Sequence, residues 1–103
     1  MADNDQIVLE DAKEAAFALD KAYRRAILDG DLDRMMQLKP RVDEAYDRYS
    51  QARLKLLEQG VLASDSDVAE MRRIRAEIDQ AATIQTLIEG AIKFAIFIAK
   101  FAG

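Results

Sequence analysis

Between residues 35 and 56, apolar side chains recur at intervals of three and four without a miss: Met35, Leu38, Val42, Ala45, Tyr49, Ala52 and Leu56. Only an α-helix brings such a series onto one face. The series commits about six consecutive turns to helix and leaves a stripe that needs helical neighbours to cover it. It also runs straight through Pro40, the one proline of the chain. Proline inside a helix removes one hydrogen bond and crowds the carbonyl four residues back, here that of Met36. The sequence therefore predicts either a kink near 36–40 or a short break with Pro40 opening a new helix. The unbroken phase favours the kink, with Pro40 as hinge.

Punctuation sets the other boundaries. Asp31 is a suitable N-cap and Gly60 a suitable stop, giving a helix over 31–59. Ahead of it, Val8, Ala12, Ala15, Leu19, Ala22 and Ala26 repeat at 4-3-4-3-4. Leu9, Ala16, Tyr23 and Ile27 widen that face, and Gly30 closes a helix over 5–29. The connector Gly60-Val61-Leu62-Ala63-Ser64-Asp65-Ser66-Asp67 ends in four good caps. Beyond it Met71, Ile74, Ile78 and Ala81 start a stripe, with no proline through Ala102. The expectation is a third helix over 65–102. No segment carries a strand pattern. The fold class is all-α: an antiparallel helical bundle or coiled coil of three long helices, in a single domain over 1–103.

Composition narrows the chemistry. Without cysteine or histidine, the chain lacks the commonest general base, a thiolate nucleophile and the preferred transition-metal ligands. No glycine-rich phosphate loop is present. The expectation is a protein that is not an enzyme and uses no cofactor, metal or small-molecule substrate. A net charge of −4 argues against nucleic acid, which rewards clustered positive charge. The start MADNDQ is polar and acidic, unlike a secretory signal. Cytoplasm is the default compartment, with signal-less export left open.

The last segment changes character. Through Thr83 there are 13 basic and 18 acidic residues; from Ile84 onward only Glu89, Lys93 and Lys100 are charged. On a helical wheel Gln85, Thr86, Glu89, Lys93 and Lys100 share an arc of roughly 100°, with Ile96 intruding. The remaining circumference carries Leu87, Ile88, Ala91, Ile92, Phe94, Ala95, Phe97, Ile98, Ala99 and Phe101. A surface helix needs about half as wide a stripe. If a continuous third helix returned along the second, Phe94 to Ala102 would overhang the bundle by about 13 Å. The candidate contact residues are thus Ile84, Leu87, Ile88, Ala91, Ile92, Phe94, Ala95, Phe97, Ile98 and Phe101. Glu89, Lys93 and Lys100 form the tail's polar face. A chain that folds back differently at Pro40 would instead take the tail into its own core.

Other clusters have plainer readings. Asp29, Asp31 and Asp33, and Asp65 and Asp67, sit where caps and helix dipoles call for acids, and they lack the spread of a calcium loop. Arg24 and Arg25, and Arg72, Arg73 and Arg75, could meet phosphate or an acidic partner. Glu70, Glu77 and Asp79 interleave with the second run and favour a solvated, salt-bridged face. Tyr23, Tyr46 and Tyr49 could stack on a ligand and Met35 and Met36 could give an adaptable surface, but Tyr23, Tyr49 and both methionines read more simply as core filling.

The functional expectation is a helical interaction protein that self-assembles through residues 84–102 as scaffold, adaptor or assembly subunit, most simply a homo-oligomer. One alternative is a membrane-active protein, interfacial or pore-forming, whose amphipathic tail is hidden in the soluble form. Another is a chaperone or antitoxin-like inhibitor whose tail fills a groove on a heterologous protein.

Overall fold

A computed structural model describes residues 3–60 and 62–102; Val61 of the connector and the first two residues of the polar start lie outside the described residues. The fold is all-helical: α1 (Asn4–Asp29), α2 (Leu32–Gln59), α3 (Asp65–Asp79) and α4 (Ile84–Ala102). The sequence predicted three helices; the described residues form four. The expected helix over 65–102 stops at Asp79 and restarts at Ile84.

The first two helices follow their punctuation. Asp3 caps α1, its carboxylate accepting from the Gln6 N–H at 2.8 Å. Asp31 caps α2 in the same way, accepting from Arg34 N–H at 3.1 Å. Gly30 and Gly60 end the two helices in the left-handed conformation, at φ 68° and 61°, where a Cβ would be strained. At 1.5 Å per residue α2 is about 42 Å long, and it sets the 43 Å long axis of the molecule. It passes through Pro40 without interruption, which excludes the broken-helix alternative. Pro40 faces outward, and Met36, expected as core filling, is instead exposed, so the freed Met36 carbonyl lies on the solvent side.

Two antiparallel hairpins make the bundle. Asn4 reaches Asp65, and Asp11 meets Arg72 and Arg75, so α3 runs parallel to α1. Arg41 to Arg48 lie along Ile92 to Ala99, so α4 runs parallel to α2. α1 touches α2 and α3, α4 touches α2 and α3, and α2 and α3 sit on a diagonal. The connector from α2 to α3 must therefore cross the end of the bundle. The first turn of α1 fastens it there: the buried Asp5 carboxylate accepts from Ala63 N–H, and the Asn4 amide donates to Ala63 O at 3.0 Å.

The core joins all four helices. Val8, Ala12, Leu19, Leu38, Met71 and Ile74 are buried, and so are Phe94, Phe97, Ile98 and Phe101 from α4. The expected overhang of the tail is thus corrected. Its aromatic side fills the bundle, with Phe97 and Phe101 edge to face at 5.6 Å. The fold-back that achieves this is at residues 80–83, and Pro40 has no part in it.

Burial explains the break. Covering four large side chains is worth roughly 1.5–3 kcal/mol each. Interrupting the helix forfeits up to four hydrogen bonds at about 1 kcal/mol net apiece. Part of that is recovered by a reciprocal cap at the start of α4. Thr83 Oγ1 accepts from Thr86 N–H at 3.1 Å, and Thr86 Oγ1 accepts from Thr83 N–H at 3.2 Å. Gly90 then lets α4 close on α3: a Cβ there would lie 2.9 Å from Ile78 Cγ1.

Candidate interaction surface

Of the contact residues predicted on α4, Leu87, Ala91, Phe94, Phe97, Ile98 and Phe101 point into the bundle. Ile84, Ile88 and Ala95 are half-buried, and Ile92 is exposed. In this closed form most of the predicted surface is already satisfied within the chain. The predicted polar face is partly spent as well. Lys93 pairs with Glu77 at 3.1 Å, and Lys100 with Asp67 at 2.7 Å, strapping α4 to α3. The Lys100 ammonium also lies 5.1 Å from the Phe97 ring centre. Its hydrogen bond, together with the N–H of Ser64, holds the Asp67 carboxyl below its ordinary value. Glu89 is exposed.

Of its apolar residues, what α4 leaves outside is a narrow strip. Ile96 is 71% exposed and Ile92 37%, against 0% for Phe94 and Ile98. Between them Ala95 and Ala99 form a shallow groove of about 450 Å³ along α2, edged by Arg41, Glu44 and Arg48. These three lie at spacings of three and four on one face of α2, and none forms an ion pair among the described residues. Of the residues lining this groove, Ile92 and Ala95 were among the predicted contact residues; Ile96, Ala99 and the α2 edge were not. A signal for Ile96 was available: it was the one apolar residue inside the polar arc of the wheel.

The remaining clusters have structural roles. Asp31 caps α2, Asp29 pairs with Arg25 at 3.6 Å, and Asp67 completes a capping box with Ser64. Among the described residues no group of three or more His, Cys, Asp or Glu could hold a metal ion. In the run Arg72, Arg73 and Arg75, two side chains turn to α1. Arg75 Nη1 donates to Asp11 at 2.8 Å, and Arg72 Nε lies 3.5 Å from the other carboxylate oxygen. Asp11 is buried, so this clamp adds a cross-helix tie that local charge interleaving did not predict. The Asp11 hydrogen bond raises the Arg75 guanidinium above its ordinary value.

Tyr23 and Tyr49 are half-buried against the core, as is Tyr46. Burial, then a 2.8 Å hydrogen bond to Asp20, pushes the Tyr46 phenol up to about 12. Among the described residues no helix is long and apolar enough to cross a membrane. Compared with protein-family models, curated proteins and solved structures, the chain matches none.

Proposed function

We propose that this chain is a non-enzymatic helical interaction protein that self-associates through its C-terminal helix. The contact is the outer strip of α4, Ile92, Ala95, Ile96 and Ala99, rather than the aromatic face. One observation carries the reading: Ile96 stands 71% exposed beside an alanine-floored groove on a helix whose aromatic side is packed. Small residues admit a second helix closely, and a bulky exposed neighbour supplies the knob. The edge charges suit a two-fold contact, in which one patch meets its own copy. Glu44 lies one turn from both Arg41 and Arg48, so a copy approaching with α2 reversed brings Glu44 of each chain within reach of an arginine of the other.

Ile96→Asp tests this, because the side chain contributes little to the monomer's core. Light scattering should give an oligomer for the wild type and a monomer for the variant, with the same helical content. An unchanged mass, or a wild type that stays monomeric at high concentration, overturns the reading. The membrane-active alternative requires α4 to leave the bundle, exposing four large side chains at roughly 1.5–3 kcal/mol each. Co-sedimentation with anionic vesicles, abolished by a disulfide locking α4 to α3, would mark that outcome. Capture in a one-to-one complex with a single heterologous protein, again lost in Ile96→Asp, would mark the chaperone or inhibitor alternative.

A further inference from the structure

A second opening lies on the other side of the bundle, between the last turns of α1 and the turn from α3 to α4. It exists because the parallel helices are unequal: α1 has 26 residues and α3 only 15, starting from the same end. Past Asp79 the later turns of α1 lose their α3 neighbour, and the alanines they carry there do not fill the gap. The result is a cleft of about 540 Å³, within the size range of small-ligand sites. Its floor is apolar, formed by Ala22, Ala26, Leu38, Ile78 and Leu87.

Its rim is basic. Lys21, Arg24, Arg25 and Arg34 line it, against one acid, Asp79. Asp79 already lies 3.7 Å from Arg75. Arg24 and Arg25 make exposed pairs with Asp20 and Asp29 one turn away, a kind of contact that a better-placed anion displaces readily. Lys21 and Arg34 form no ion pair among the described residues. Four cations around one apolar hollow run against a chain of net charge −4.

The geometry points to a binding site for a small amphipathic carboxylate, an aliphatic or aromatic acid. Its body lies on the apolar floor, and its carboxylate is held by Arg34 and Lys21. A guanidinium fork suits a carboxylate, and the apolar floor rewards an acid with a body over a bare anion.

Calorimetric titration with decanoate, alongside decanol, acetate and decyltrimethylammonium, tests the assignment. Decanoate should bind one to one, and each of the other three at least tenfold more weakly. Amide chemical-shift changes should fall on residues 21–26 and 83–87. Lys21→Gln with Arg34→Gln should weaken decanoate tenfold or more while circular dichroism and melting temperature stay unchanged. Ala22→Phe should block the floor. Equal binding of decanol, an unaffected double variant, or shifts at Ile92 and Ile96 overturns the proposal. So does an acidic peptide that perturbs these residues when decanoate does not. Ile96→Asp should keep full decanoate affinity, so failure of self-association leaves this test intact.

Discussion

Ile96 and Ile98 stand two residues apart on the same helix and have opposite fates. Ile98 is fully buried, and Ile96 is among the most exposed apolar side chains described. The segment around them is apolar almost all round, and such a helix reads as one to be surrounded. Here it has packed neighbours on α2 and α3 and only a slight contact with α1. A helix at the corner of a four-helix square cannot be covered on every side. The excess remains as an exposed strip, the surface proposed above for self-association.

The sharpest way to break this contrast is to place the same charge at both positions. Ile98→Asp buries an unpaired carboxylate and removes a core side chain, costing about 4 kcal/mol or more. That is a large share of the stability of a domain this size, so denaturant titration should show it largely unfolded. Ile96→Asp should stay within about 1 kcal/mol of wild type while changing the mass in solution. If both unfold, the strip belongs to the monomer's core.

Gly90→Ala probes how tightly the inner side is seated. Alanine improves helix propensity by about 1 kcal/mol, but its Cβ would press on Ile78 at 2.9 Å, and overpacking costs roughly 1–3 kcal/mol. A net loss in melting temperature is expected; a gain would mean that α3 and α4 can part freely. Thr83→Ala removes half of the cap that starts α4 and should cost about 1 kcal/mol.

The smallest effect serves as a control on the side of the bundle away from the strip. The Tyr46 phenol sits at about 12 against an ordinary 10.0, so folding favours its protonated form. Its contribution is complete below pH 10 and is lost as pH rises from 10 toward 12, where the unfolded chain ionises first. Tyr46→Phe should flatten the stability curve in that window without altering the response of α4 variants.

The sequence was readable where local signals agreed. The stripes of α1 and α2, their closing glycines and the cap at Asp31 all point the same way, and the structure follows them. The break after Asp79 was hidden because Ala81 and Ala82 are strong helix formers. No proline or glycine marks it, and the motive for it lies in tertiary burial of Phe94, Phe97, Ile98 and Phe101. The Thr83–Thr86 cap was a weak clue, since threonine at the second position is not the usual glutamate or glutamine. On α4, composition showed that the helix is apolar over most of its circumference but not which of those residues are buried. Which side meets α2 depends on the fold-back, so the inner and outer residues could not be told apart before it was known. Arg41, Glu44 and Arg48 were readable as polar residues of α2 but not as the edge of a groove. The cleft beside Lys21 and Arg34 comes from unequal helix lengths, and no motif announces that.

The four residues between α3 and α4 turn the chain back on itself. Straightened, they would join the two helices into the single rod that the sequence alone suggests, and carry α4 onto a second chain. There it would meet the same groove it had left, so an exchanged dimer would rebuild every contact of α4 with almost no change in buried area. Any balance between the two forms would then rest on these four residues, on the Thr83–Thr86 cap set against the helical preference of Ala81 and Ala82.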